Sequence, residues 1–389
     1  MSAPLPGDVL ALLRAHGPLT RADVMERTGL ARATANQRLD VLVAAGLAVP
    51  TEGESTARGR PPGRFRFHHD RGVMLIADVG ATSFRAALTD LLGEIRLVRS
   101  TAIDVGDGPG AVLGAVSAFF DELLAEAGYT PADVLGIGLD VPGPVDFASG
   151  RVVNPPIMSG WDGYDIPGWF RPTYDCPVVV ENDVNAVALG EQRTAHPDVP
   201  SLLMIKVGTG VGAGLIWRGE IYRGADGAAG DIGHIQVSVP GEEAPPLCRC
   251  GNHGCVEARA GGWALVRDLR ATGHDVSTVD DAADLVRQGD ADAVGHVRRA
   301  GRLLGSAVAD AVSLLNPRAV VLTGQLAFAE QLMAGVREMV YSRSLPLATA
   351  RIDITRSALG TQGGLVGTAL LVADHVFAPE RIEHLLRRG

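Results

Sequence analysis

Val73-Met74-Leu75-Ile76-Ala77-Asp78-Val79-Gly80-Ala81-Thr82 is the stretch on which the fold turns. Its apolar run reads as a buried strand, and Asp-x-Gly-x-Thr at the end reads as a turn that faces phosphate. Gly80 lets the backbone approach an anion, Thr82 offers it a hydroxyl, and Asp78 can hold a metal-bound water. About 130 residues later the pattern returns: a strand from Leu202 to Val207 runs into Gly208-Thr209-Gly210-Val211-Gly212-Ala213-Gly214. Two such turns facing one cleft define a two-lobed α/β nucleotide-binding fold. Taken singly, the glycines of either turn serve equally well to tighten a hairpin.

Between the turns, Val178-Val179-Val180-Glu181-Asn182-Asp183-Val184-Asn185 reads as a buried strand ending in polar side chains before a helix. Polar groups at a strand's carboxyl end lie where α/β folds bind ligands. Asp183 is placed to accept a proton from a sugar hydroxyl attacking a γ-phosphate, with Asn182 hydrogen-bonded to the same sugar. An ordinary Asn-Asp helix cap is the bland alternative.

Further on come His234 and Cys248-Arg249-Cys250-Gly251-Asn252-His253-Gly254-Cys255-Val256-Glu257. Three thiolates at this spacing plus one imidazole make a closed tetrahedral zinc site, structural because no position is left for water. Spacing alone leaves His234 and His253 both open as the fourth ligand. The pinned loop orients Glu257 and His234 toward the cleft. Cys176 stands apart and reads as a buried apolar filler.

The first seventy residues have a different character. Pro6 to His16 carries apolar residues at helical spacing, and Gly17-Pro18 stops it. Thr20 with Asp23 marks the start of a short helix ending at Gly29. From Ala31 to Ala45, Ala35, Leu39 and Leu42 form one stripe, leaving Arg32, Thr34, Asn36, Gln37 and Arg38 to face outward as a recognition helix would. A strand beginning at Gly46-Leu47-Ala48-Val49 and a return strand Arg64-Phe65-Arg66-Phe67 enclose a polar wing whose Arg58, Arg60 and Arg64 suit a narrow minor groove. A three-helix unit that binds only protein is the competing reading. Residues 1–72 hold ten arginines against seven acids, so the remainder must carry −13 to give the chain's net −10. DNA is therefore expected at this end alone. Lys206 is the chain's only lysine, and this Arg-only usage reads as compositional.

With 389 residues, two or three folding units are expected. No apolar stretch is long enough to span a bilayer and no signal peptide is readable, which gives an expectation of a cytoplasmic protein without a membrane partner.

Together the turn at Asp78, Glu-Asn-Asp183, the turn at Gly208, Gly230-Asp-Ile-Gly-His234 and Cys-x-Cys-Gly-Asn-x-Gly-Cys-x-Glu257 resemble the ROK family of repressors, open reading frames and sugar kinases, over roughly residues 72–375. Many of its repressors add an N-terminal winged helix, often with a Gly-Arg-Pro wing. The resemblance implies an α/β fold: a winged helix-turn-helix over 1–70, then a two-lobed actin-like sugar-kinase (ribonuclease-H-like) body with a zinc loop. The first lobe covers 72–188, completed by a C-terminal helix 362–389, and the second covers 189–361. It implies Asp183 as the base of a kinase, and Asn182, Asp183, Asp231, His234 and Glu257 as sugar-binding positions. His234, Cys248, Cys250 and Cys255 are implied as zinc ligands.

The nucleotide side comprises Asp78, Gly80, Thr82, Gly208, Thr209, Gly210, Gly212 and Gly324. Departures fall on that side. Ala81 replaces the family's second glycine, and Thr323-Gly324-Gln325 replaces Gly-Gly near the adenosine. Asp231 stands where the family has Glu, and Pro156-Ile157-Met158-Ser159-Gly160-Trp161 lacks the Asn found before Gly-Trp in the kinases. The expectation is a sugar-responsive repressor binding a palindromic operator as a homodimer or dimer of dimers, with a sugar or phosphosugar effector. An ATP-Mg-dependent sugar kinase, or a bifunctional protein, is the alternative.

Overall fold

The computed structural model describes residues 4–51 and 63–388. At its start, α1 (Pro6–His16), α2 (Arg21–Thr28) and α3 (Arg32–Ala44) pack around Val9, Leu10, Leu13, Ala35, Leu39 and Leu42, all of them buried. Thr20 caps α2 reciprocally: its hydroxyl accepts from Asp23 N at 3.1 Å, and the Asp23 carboxylate accepts from Thr20 N at 2.8 Å. Strands β1 (Leu19–Thr20), β2 (Ala48–Thr51) and β3 (Arg64–Phe67) form a sheet in the order β1-β3-β2. The expected hairpin forms, but its first strand begins at Ala48, because Gly46 takes a left-handed φ of 67° to close α3. The two-residue β1 was not anticipated, since so short a strand has no readable alternation. Arg58 and Arg60 lie outside the described residues.

Two five-stranded sheets follow with the same plan. In the first, β4 (Val73–Val79), β5 (Ser83–Thr89) and β6 (Ile95–Ala102) form an antiparallel meander. Next come β7 (Val134–Val141), a small hairpin of β8 (Val145–Asp146) and β9 (Arg151–Val152), and β10 (Val178–Asn182). Strands β7 and β10 add in parallel to give the order β10-β7-β4-β5-β6. The second sheet has β11 (Ser201–Val207), β12 (Val211–Trp217), β13 (Glu220–Ile221), β14 (Ala319–Thr323) and β15 (Asp353–Arg356), in the order β13-β12-β11-β14-β15. Its first three strands are again antiparallel and its last two parallel.

Helices α4 (Pro109–Ala127) and α5 (Ile166–Phe170) pack with the first sheet through Phe120 and Phe170. After α6 (Asp183–Ala195) come α7 (Glu257–Ala260), α8 (Gly262–Ala271), α9 (Val279–Gln288), α10 (Ala291–Leu315), α11 (Glu330–Arg343) and α12 (Pro346–Thr349). Most of these cover the second sheet. The chain closes with α13 (Gly363–Val376) and α14 (Pro379–Arg388).

Two helices fill the middle: α13 lies on β4 and β7, α6 lies on β11 and β12, and the two pack on each other. Their crossing leaves no room for side chains, because a Cβ on Gly367 would fall on the carbonyl oxygen of Ala186. Gly367→Ala is therefore expected to cost about 3 kcal/mol, read as a lowered urea midpoint. An unchanged midpoint would mean that the crossing has slack.

Two expectations need correction. The C-terminal segment is not one helix over 362–389 but two, since Pro379 cannot continue α13. Helix α14 turns onto the N-terminal three-helix unit, where Gly7 N donates to Glu383 Oε1 at 2.9 Å. The lobe division expected at 188 and 189 falls inside α6, a single helix that serves the middle layer. Among the described residues, no helix is long and apolar enough to cross a membrane.

Candidate functional site

An open cleft between the two sheets collects the glycine turns, Asn182, Asp183, His234 and Glu257. Each glycine turn joins antiparallel strands, β4 to β5 and β11 to β12. In the first, Gly80 N donates to Ser83 O at 2.8 Å, while the carbonyls of Ala81 and Thr82 accept from Val105 N and Ile103 N. Thr82 is left exposed at the cleft. In the second, the carbonyls of Gly208 and Thr209 accept from Gly262 N at 2.8 Å and Trp263 N at 3.0 Å. The first amides of α8, which have no partner within their own helix, thus fix this turn from behind. Gly324 follows β14 with φ 98°, and a Cβ there would lie 2.5 Å from Val207 O, so only glycine fits.

Asn182 takes the cap reading and lies at the cleft wall. Its Oδ1 accepts from Val184 N and Asn185 N as the cap of α6, and its Nδ2 donates to Gly143 O at 3.1 Å, all at the cleft wall. Asp183 opens α6 and is buried, but it is not free: Lys206 Nζ donates to its Oδ2 at 2.5 Å. Lys206 had been given no place in the site from the sequence. A lone lysine in an otherwise all-Arg chain, two residues before a glycine turn, was the available signal. Arg85, on β5, pairs with Asp78. Gln325 Nε2 donates to Asp280 Oδ1 at 3.1 Å beside Gly324 in the cleft. Neither Arg85 nor Asp280 carried any motif.

The four sulfur and nitrogen donors of His234, Cys248, Cys250 and Cys255 lie within 4.8 Å of one another. His234 Nδ1 is 3.7 Å from Cys248 Sγ, and Cys250 Sγ is 3.8 Å from Cys255 Sγ. A tetrahedron with metal–sulfur bonds of about 2.3 Å has edges of about 3.8 Å, so the group is dimensioned for a metal such as zinc. His253 is exposed and takes no part, which resolves the choice that spacing left open. With Nδ1 turned to the thiolates, His234 Nε2 remains for a ligand in the cleft or for Asp231, whose carboxylate is 3.9 Å away. Asp231 itself is exposed at the rim.

The loop is braced by Arg259, paired with Glu242, and by Trp263, with Arg249 and Arg267 within 5.0 and 5.2 Å of its ring. Glu257 connects loop to turn: Oε2 accepts from Val211 N at 3.1 Å and Oε1 from Trp263 Nε1 at 3.3 Å.

On α3, Arg32 and Gln37 are exposed, whereas Thr34, Asn36 and Arg38 are half-buried and less outward than the stripe implied. Helix α3 is covered along two flanks, by α1 and α2, so its free face is narrower than its polar positions. Arg64 is exposed at the base of the wing.

Such an arrangement defines a class: a winged helix joined to a sugar-kinase-like sensor body. Residues 74–375 match the ROK family and residues 4–59 the MarR family. The chain belongs to the ROK family. It is 27% identical to the xylose repressor of Bacillus spizizenii over 92% of each chain. A ROK family transcriptional regulator, homologous to the Escherichia coli MLC protein, has the same fold over 99% of this chain and 98% of its own, with TM-score 0.81 and 26% identity. The ROK glucokinase of Streptomyces griseus, solved with glucose and AMPPNP, is 30% identical and covers 77% of this chain and 99% of its own, with TM-score 0.65.

Proposed function

We propose that this protein is a sugar-responsive transcriptional repressor that grips a palindromic operator as a homodimer, or a dimer of dimers, and releases it when a sugar or phosphosugar closes the cleft. The observation that carries this reading is the course of α13. Its first turn backs the cleft, where Gly364 lies against the Asp78 carboxylate. Its last turn holds the DNA-binding unit: Asp374 Oδ1 accepts from Arg14 Nη2 at 3.2 Å, and Phe377, just beyond, meets Phe67 edge-on at 4.9 Å. Burial pulls the Arg14 guanidinium below its ordinary pKa against the pull of Asp374, as expected for a cation held inside a junction.

Asn182, Asp183, Asp231, His234 and Glu257 would take the sugar. Zinc held by His234, Cys248, Cys250 and Cys255 would supply a rigid anchor for the loop and no chemistry of its own. Arg32, Thr34, Asn36, Gln37 and Arg38 on α3 would enter the major groove, with Arg58, Arg60 and Arg64 in the minor groove beside it. An operator on the chromosome places the protein in the cytoplasm. The sugar-kinase alternative draws on Asp183 and the β11–β12 turn, both of which the chain keeps.

The test is binding of the full-length chain to its own upstream DNA, titrated against salt and then against a sugar panel. Replacing Arg60 and Arg64 by Ala is expected to weaken binding and to lower the slope of log K against log salt by about 0.9 per arginine. An unchanged slope removes the wing from the DNA contact. Failure of every sugar and phosphosugar to shift the DNA affinity would overturn the sensor reading.

A further inference from the structure

Three carboxylates meet at the carboxyl ends of three adjoining strands. The β4–β7 register sets Asp78 opposite Asp140, and the β7–β10 register sets Val141 opposite Asn182, the residue before Asp183. Asp78, Asp140 and Asp183 are 8%, 0% and 5% exposed. Oxygen donors converging in this way suit a hard divalent cation, and phosphoryl transfer from ATP needs that cation.

Here the place is filled by the protein itself. Lys206 reaches over from the second sheet to Asp183, Arg85 neutralises Asp78, and Asp140 Oδ2 accepts from Thr368 Oγ1 at 2.7 Å. Burial, reinforced by Asp78, pushes the Asp140 carboxyl well above the usual range. Burial works against the Lys206 charge, yet Asp183, Asp78 and Asp140 together outweigh it and raise its pKa. A fixed cation thus faces each of Asp78 and Asp183, and Thr368 holds Asp140. Gln325, hydrogen-bonded to Asp280, lines the cleft beside Gly324. With Asp78 and Asp183 each already paired to a cation, this carboxylate cluster does not suit the Mg²⁺ that ATP brings.

We propose that Lys206 is a tethered substitute for the divalent cation, so that the cleft holds its sugar without metal or nucleotide and leaves it unphosphorylated. The proposal rests on reading the cleft as a sugar sensor. Asp183, whose Oδ2 already accepts from Lys206 Nζ, serves to bind a hydroxyl rather than to deprotonate it.

The test is Mn²⁺ binding to the full-length chain, followed by electron paramagnetic resonance of the free ion, with Mn²⁺ alone as probe. Mn²⁺ prefers oxygen donors and leaves the thiolate site to zinc. The wild type is expected to show no saturable cleft site. Lys206→Met opens one per chain, about tenfold or more tighter than any site on the wild type, and adding Asp183→Asn removes it again. Lys206→Gln, which keeps a polar side chain, is the second variant should the first not fold, and Lys206→Arg stays like the wild type. A wild-type Mn²⁺ site that Asp183→Asn abolishes overturns the proposal. So does a folded Lys206→Met or Lys206→Gln, with zinc retained, that gains no site. Either result leaves the repressor reading standing, because release of DNA by sugar is measured separately.

Discussion

Cys255→Ser is expected to empty the metal site and to abolish the response to sugar while the DNA-binding unit stays folded. Cys255 is fully buried and lies 3.8 Å from Cys250 Sγ, so a hydroxyl there offers a poor ligand and leaves two thiolates and one imidazole. Structural zinc of this donor type carries on the order of 10 kcal/mol of apparent binding free energy, far more than the few contacts that brace the loop. Without it the segment from Cys248 to Glu257 loses its fold, and Glu257 is no longer aimed at the β11–β12 turn. The measurements are zinc per chain by elemental analysis and operator affinity with and without sugar. Cys176, half-buried among apolar neighbours of the first sheet, supplies the control: Cys176→Ser keeps its zinc. A zinc-free Cys255→Ser protein that still responds to sugar would detach the metal from sensing.

Glu257→Ala is expected to leave operator affinity intact and to shift the sugar concentration needed for release upward by about two orders of magnitude. The carboxylate already accepts from Val211 N and Trp263 Nε1, so its orientation is fixed before any ligand arrives. A carboxylate–hydroxyl hydrogen bond contributes about 1.5 kcal/mol, and two of them account for the shift. Linkage requires DNA to weaken sugar binding by the same factor that sugar weakens DNA binding, so the variant can be read from either side. Asp183→Asn behaves differently: the amide still hydrogen-bonds a hydroxyl, and much of the release persists. Were Asp183→Asn to bind sugar normally yet never leave DNA, phosphorylation would belong to the signal. An unaltered sugar response in Glu257→Ala would take that residue out of the site.

What sequence made legible here was whatever repeats or caps locally. The Thr20–Asp23 box, the Ala35-Leu39-Leu42 stripe, both glycine turns and the cysteine loop each depend on residues a few positions apart, and each forms as read. Illegible features depend on partners far apart in the chain. Asp140 with Thr368, Asp78 with Arg85 and Lys206 with Asp183 acquire meaning only once three strands and a distant helix meet. The break between α13 and α14 was signalled by Pro379, but which surface α14 would then cover was not, because its partner α1 lies at the other end of the chain. His234 over His253 was likewise a question of approach in space rather than of spacing.

The tight crossing of α13 at Gly367 makes that helix a lever with a fulcrum. Seven residues separate the fulcrum from Asp374, or about 10 Å at the rise of an α-helix. A tilt of about 10° at the cleft end would carry the Arg14 clamp sideways by about 2 Å. Hydrogen bonds to base edges tolerate only a few tenths of an ångström. Displacements at the cleft too small to alter either sheet would thus be amplified, by arm length alone, beyond what a recognition helix could absorb.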